Sequence, residues 1–403
     1  MKSKPLPADP MIRELIRRAQ TATMGRRTLL AGAAAGATGL ALAACSTGTG
    51  ELTAAPDTSA TNKTVRWDNW ALYVDVDDAG GYPTIDAFEA QTGIAVEYTE
   101  AVDDNNTYYA KVKDQLSLGQ DIGTDVVCLT DWMVARLIRF GYTQKFDRAN
   151  MPNAANLLPS LQNVDFDPGR EMSLPWQGGF AGIAWNKEQL PNGLRSVQDL
   201  WKPELKGRVG VLSEMRDTMG LIMLDQGVDI SGKWGDDEFN AAIDEFSKQV
   251  TDGQIRNIKG NAYKEDLVNE DTLAAIVWSG DIVQLNAENG DKWDFVVPDA
   301  GGTLWNDNFM VPIGSPAKSN VEEMINYYYD PAVAAEVAAY VNYITPVAGA
   351  KEAAAAIDPE LANNQLIFPD EETLSKAFVF RGLDNSEEQK YNTAFQSILL
   401  GAA

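Results

Sequence analysis

Histidine is missing altogether from the 403 residues. Its absence excludes Ser-His-Asp and Cys-His nucleophile systems, His-ligated zinc and imidazole acid–base chemistry. Cysteine is nearly missing too. Cys45 and Cys128 cannot build a disulfide framework or a multi-cysteine metal site, so no metal and no cofactor are expected. Basic residues are few, 33 Lys and Arg against 58 Asp and Glu, and the net charge of −25 argues against nucleic acid as a partner. A surface so acidic suits cationic partners. Beyond residue 44 no apolar run is long enough to span a bilayer. Apolar residues still make up 45% of the chain, which supports a sizeable core, and the length suggests two domains.

The first segment reads as an address. Arg26-Arg27 precede Thr28–Ala44, a charge-free run rich in Leu, Ala and Gly that ends in Leu42-Ala43-Ala44-Cys45. A basic start, a short apolar stretch and small residues at a cleavage point make a secretory signal. The paired arginines point to the twin-arginine route. The Leu-Ala-Ala-Cys ending resembles a bacterial lipobox, which would make Cys45 the lipid-bearing first residue of the mature protein. A transmembrane helix is the alternative, disfavoured because the run is shorter than about 18 residues. Residues 1–44 are therefore expected to be a signal, and the Ser/Thr/Ala-rich 45–63 a flexible tether. Cleavage would remove seven basic and two acidic residues and move the net charge from −25 to −30.

Strands and helices alternate in the body. Val65–Asn69, Ile94–Tyr98, Asp125–Leu129, Arg208–Leu212 and Leu273–Trp278 are strand-like. Pro83–Gln91, Asn105–Leu118, Trp132–Phe140, Thr218–Gln226, Asp236–Val250 and Asp281–Ala287 carry helical spacing. Pro83 suits a helix start, and Gly93 and Gly141 suit helix ends. Val321 to Leu400 is mostly helical, with Asp330-Pro331 as N-cap and first helical residue of an Ala-rich helix. The alternation predicts an α/β fold of largely parallel sheets covered on both faces. No linker interrupts the body, as interleaved crossings between two lobes would require.

Ten tryptophans stand out. Trp70, Trp132 and Trp278 follow or end predicted strands, where an open α/β sheet places its ligand crevice. Core packing is the ordinary explanation of any single one. Glu214 and Asp217 follow the strand Arg208–Leu212 at a helix start, where acids also serve simply to offset the helix dipole. Asp307 comes two residues after Trp305, beside the Gly301-Gly302 turn, and could be a solvated turn carboxylate. Aromatic faces with carboxylates are what an organic polycation needs: cation–π attraction, cover for its methylenes and charge-assisted hydrogen bonds. Two other readings are weaker. Asp75-Val76-Asp77-Asp78-Ala79-Gly80 with Asp86 echoes a calcium loop, but Ala79 replaces a ligand and Pro83 intrudes. A secreted glycosidase would also pair carboxylates with tryptophan, yet its two acids come from separate elements across a cleft. Cys128, inside an apolar strand, reads as an inert buried thiol.

From Val65 to about Ala350 the chain resembles the spermidine/putrescine-binding proteins of polyamine ABC transporters. The segments that carry the resemblance come in order: Asn69-Trp70 with Tyr73, Phe88-Glu89-Ala90-Gln91-Thr92-Gly93-Ile94, Tyr109-Ala110-Lys111-Val112-Lys113 and Asp125-Val126-Val127. Leu200-Trp201-Lys202-Pro203-Glu204-Leu205-Lys206-Gly207 is the most distinctive. Ala275-Ile276-Val277-Trp278-Ser279-Gly280, Gly301-Gly302-Thr303-Leu304-Trp305-Asn306-Asp307 and Tyr343-Ile344-Thr345-Pro346 complete the series.

The resemblance implies a two-lobed periplasmic-binding-protein-like fold (type II) that closes on its ligand. Lobe one would be residues 64–179 and 306–353, and lobe two 180–305 and 354–403. It implies an aromatic box of Trp70, Tyr73, Trp132, Trp278, Trp305 and Tyr343. Glu214, Asp217 and Asp307 would take ammonium groups, and Thr130 a polar contact. The expected protein is no enzyme but a monomeric, extracytoplasmic, lipid-anchored capturer of a polyamine, delivering it to an ABC permease. Another amine, or an amine-bearing acid, is the alternative ligand. Three departures bear on it: Leu72 stands where the family often has an acid, the loop Asp75–Tyr82 is longer than usual, and Arg381 sits oddly for a polycation site.

Overall fold

In the computed structural model the described residues are 52–402. Arg26, Arg27, Cys45 and the whole signal segment lie outside them. Among the described residues ten strands form one sheet. Its members are β1 (Thr64–Trp70), β2 (Ala95–Val102), β3 (Val126–Thr130), β6 (Leu174–Asn186), β7 (Val209–Leu212), β8 (Ile255–Lys259), β9 (Ala274–Trp278), β10 (Trp293–Val296), β11 (Gly302–Met310) and β12 (Ala377–Phe378). A small hairpin, β4 (Asn163–Val164) and β5 (Asp167–Pro168), stands apart.

The order β2-β1-β3-β11-β6-β9-β7-β8 divides the sheet into unlike parts. Each wing is parallel: β1 pairs with β2 and β3, and β7 with β8 and β9. The centre is antiparallel, because β11 pairs with β3 and β6 while β6 also pairs with β9 and β10. This corrects the expectation of largely parallel sheets. The α/β reading holds for the wings, where helices connect successive parallel strands as such crossovers require. The centre consists of two long strands, 13 residues in β6 and 9 in β11, which tie the wings together.

Local signals formed the helices much as read. Pro83 opens helix Pro83–Thr92, and Gly93 closes it at φ 72, a left-handed conformation open to glycine. Asp330 caps helix Pro331–Val341 by accepting from Ala332 N at 2.9 Å. Two aromatic clusters fill the core. Trp67 packs on Trp176, Phe309 and Tyr328, and Tyr391 packs on Trp234 and Phe239 beneath helix Asn385–Ala402. Cys128 is fully buried in β3, and burial holds its thiol well above the ordinary range.

The tether requires correction. Ala55 N donates to Ile313 O at 3.0 Å and Thr58 N to Pro316 O at 2.7 Å, so this stretch is docked. Asp57 and Ser59 accept from the amides of Ser319 (3.2 Å) and Asn320 (3.1 Å), in the first turn of helix Lys318–Tyr328. That helix has no side-chain cap of its own, and the distant Asp and Ser satisfy its orphan amides. A Ser/Thr-rich composition reads as linker, but its hydroxyls are also helix caps. The acids of the predicted calcium-like loop serve similarly. Asp75 accepts from Thr84 N at 2.9 Å, and Asp77 from the amides of Ala79 and Gly81.

Candidate functional site

The carboxyl ends of β1, β3, β7 and β9 converge on a cavity of about 430 Å³. All ten predicted site residues line it. Trp70 ends β1 and Trp278 ends β9, Thr130 ends β3 just before helix Asp131–Arg139 with Trp132, and Glu214 precedes helix Met215–Asp225 with Asp217. From β11 come Thr303, Trp305 and Asp307, spaced by two so that they share a strand face. Asp307 is therefore a strand residue, 4% exposed, and not on a solvated turn.

Leu72 adopts φ 57 and donates its N–H to Glu100 Oε1 at 2.7 Å. This left-handed residue sharpens the turn after β1 and carries Tyr73 into the cavity. Opposite, Gly179 gives the aromatics room. A Cβ there would lie 2.6 Å from Trp305 and 2.8 Å from Tyr343, closer than packed atoms allow.

The carboxylates are buried and bonded to neutral donors. Asp307 accepts from Thr130 Oγ1 at 2.7 Å and Tyr73 OH at 3.0 Å. Asn105 Nδ2 donates to Thr130 Oγ1 at 2.8 Å and to Glu214 Oε1 at 2.9 Å, so a single hydrogen-bonded chain joins Glu214 to Asp307. Asp217 accepts from Trp278 Nε1 at 2.9 Å and Thr303 Oγ1 at 2.6 Å. Neither Glu214 nor Asp217 caps its own helix; both reach other elements, so offsetting the helix dipole does not describe them. Among the described residues no Lys or Arg forms an ion pair with any of the three. Burial pushes Glu214 up to about 8, with Asp104 adding repulsion, and pushes Asp307 up to about 7 against its two hydrogen bonds. It raises Asp217 too. The cavity thus holds three carboxylates without an ion-pair partner among the described residues, Arg216 being the positive charge near Glu214 and Asp217.

The aromatic residues form two edge-to-face runs. Tyr73, Tyr343 and Trp305 follow one another at 5.4 and 5.2 Å, and Trp70, Trp278 and Tyr263 at 5.8 and 5.9 Å. Trp132 behaves otherwise. The Arg216 guanidinium lies 4.0 Å from its ring centroid and Arg136 lies 5.0 Å from it, so the protein's own cations occupy Trp132. It lines the cavity as the partner of a resident cation.

Several residues in or behind the cavity wall escaped sequence reading. Asp281, three residues after Trp278 in a first helical turn, accepts from Tyr263 OH at 2.7 Å and Tyr343 OH at 2.9 Å. The signal resembled that of Asp217, which was read. Asn105 gave none, since only the fold carries it to Glu214. Arg216 and Glu388 were also missed, being far apart in sequence, and they meet at 3.3 Å. Arg381 does line the cavity, but its guanidinium is fully engaged. It makes two bonds to Glu387, at 2.9 and 2.7 Å, and lies 4.0 Å from the Trp234 ring centroid.

Over most of its length the chain is similar to known proteins. A family profile described as bacterial extracellular solute-binding protein matches residues 84–368. The spermidine/putrescine-binding periplasmic protein of Escherichia coli (strain K12) is 30% identical over 317 residues, covering 78% of this chain and 85% of its own length. The putrescine-binding periplasmic protein PotF of the same organism is 27% identical over 85% of this chain and 93% of its own. Among solved structures, the spermidine/putrescine ABC transporter substrate-binding protein PotD from Streptococcus pneumoniae superposes with a TM-score of 0.67. It is 25% identical, over 85% of this chain and all of its own.

Proposed function

This chain belongs to the bacterial extracellular solute-binding proteins, and from that membership we propose that it captures a polyamine in the cavity and hands it to an ABC permease. The observation that carries the reading is the set of three buried carboxylates, Glu214, Asp217 and Asp307, inside an aromatic cavity, none of them in an ion pair among the described residues. Leaving a buried carboxylate unpaired is costly, and an arriving ammonium group removes that cost. Trp70, Trp278, Tyr73, Tyr343 and Trp305 cover its methylenes, and the tryptophan faces attract the charge. Thr130 and Tyr73 orient Asp307, so the site is pre-organised rather than assembled on binding.

The two lobes extend this reading. Residues 64–179 with 306–353 would move against 180–305 with 354–403 about β6 and β11, opening and closing the cavity. Export through Arg26-Arg27 and lipid attachment at Cys45 would hold the protein at the outer face of the membrane. Among the described residues no helix is long and apolar enough to cross a membrane. No catalytic step is assigned. Calorimetry with putrescine, spermidine, glucose and glutamate tests the proposal. Saturable binding of the amines alone supports it, and saturable binding of the sugar or of glutamate with no response to any amine overturns it.

A further inference from the structure

In a chain so short of basic residues, three arginines meet at Glu388, and two of them, Arg139 and Arg216, line the cavity. Arg136 and Arg139, on helix Asp131–Arg139, lie 3.0 and 2.9 Å from Glu388, and Arg216 lies 3.3 Å from the same carboxylate. One negative charge answers three positive ones. Arg216 is buried, with its guanidinium over Trp132, and burial pushes it down only to about 10, so it stays charged at neutral pH. Arg139 is the accessible member. Its side chain is 37% exposed, it lines the cavity, and its only hydrogen-bond partner among the described residues is Glu388. Arg381 adds no free charge, being paired with Glu387. Two further acids line the cavity: Asp131, at the start of helix Asp131–Arg139 and hydrogen-bonded by Asn306 and Asn308, and Asp165, exposed on the turn between β4 and β5, where water screens it.

The cavity is thus graded. Glu214, Asp217 and Asp307 attract cations, whereas Arg139 and Arg216, which share Glu388 with Arg136, repel them from the stretch of cavity they line. The two ammonium groups of a short diamine can both stay among the carboxylates. A triamine needs room for a third charge in a cavity whose lining includes Arg139 and Arg216. Like charges brought together in a poorly hydrated space cost affinity. We propose that the Arg136–Arg139–Arg216 cluster is a charge stop, with Arg139 as the group the ligand meets, that makes this site select a diamine over a longer triamine. The proposal rests on the polyamine reading above and names the ligand class within it.

Titration calorimetry of the protein and its Arg139→Gln variant with putrescine, spermidine and 4-aminobutanoate tests it. The wild type is expected to bind putrescine at least tenfold more tightly than spermidine, and Arg139→Gln to shrink that ratio about threefold or more. Equal affinities in the wild type, or a ratio untouched by the substitution, overturn the charge stop alone. Tighter binding of 4-aminobutanoate than of putrescine also overturns it, since the cluster would then be a carboxylate seat. Absence of binding by both amines overturns the polyamine reading itself. Should Arg139→Gln fold poorly, the wild-type ratio measured at low and high salt decides, because repulsion weakens with screening. A ratio that falls with salt supports the stop, and a constant ratio contradicts it.

Discussion

The two ends of the cavity hold charge in opposite ways. Around Asp307 and Asp217, carboxylates meet only hydroxyl, indole and amide donors, and burial drives their proton affinities up. Around Glu388, three guanidiniums share one carboxylate and rest on Trp132, Tyr109 and Phe140. Charge matched by protein partners is architecture; it fixes helix Asn385–Ala402 to helices Asp131–Arg139 and Met215–Asp225. Charge left with neutral partners is unfinished, and a ligand completes it. Exposure alone does not separate the two, since Glu388 and Asp307 are 7% and 4% exposed.

The comparison predicts opposite phenotypes at the two ends. Glu388→Gln should be the more damaging to the fold. Removing one partner of a buried ion cluster costs about 3–5 kcal/mol, and the three guanidiniums would be left to repel each other. Chemical denaturation should show that loss, with putrescine affinity at low temperature changing much less than in Asp307→Asn.

At the other end, Asp307→Asn removes a ligand partner of about 1.5–3 kcal/mol, or roughly ten- to a hundredfold in affinity. Its ligand-free melting temperature should stay level or rise, because an amide is buried at no ionisation cost where burial disfavours the ionised carboxylate. If Asp307→Asn lowered stability and left affinity intact, the division between the two ends would collapse. Glu214→Gln and Asp217→Asn should follow Asp307→Asn in kind.

Gly179→Ala sharpens the contrast from the aromatic side. The new methyl would collide with Trp305 and Tyr343, an overpacking worth about 1–3 kcal/mol. Its effect should appear in both stability and affinity, because those rings belong to core and site together. A variant that changed neither would show that the aromatic wall yields freely.

Much of this arrangement was legible before any coordinates. The parallel wings announced themselves through short apolar runs ending in Trp70 or Trp278, and the loop–helix starts carried Glu214 and Asp217. The centre did not. All 13 residues of β6 are buried, so no polar alternation marks it, and Gly178, Gly179 and Gly182 read as turn rather than strand. β11 was hidden behind Gly301-Gly302, which made Asp307 look like a turn residue. The Glu388 cluster depends on residues 136, 139, 216 and 388 meeting in space, which spacing along the chain cannot express. Trp132 shows the same limit, since its cation comes from Arg216, which the sequence reading did not place beside it.

The smallest effect is also the most diagnostic. Burial raises Glu214 to about 8 and Asp307 to about 7, so between them they carry about one proton near neutral pH before a ligand arrives. The unfolded chain loses those protons near the ordinary carboxylate range. Ligand-free stability should therefore fall as pH rises from about 4.5 to 8, and the stabilisation by ligand should grow over the upper part of that window. An ammonium group that ionises both carboxylates must expel their protons. Calorimetry of putrescine binding at pH 7, repeated in buffers of different ionisation enthalpy, counts them. The account predicts release of about one proton per ligand, abolished in large part in the Glu214→Gln, Asp307→Asn double variant. Binding without proton release, or with uptake, would contradict the claim that these carboxylates await the ligand's charge.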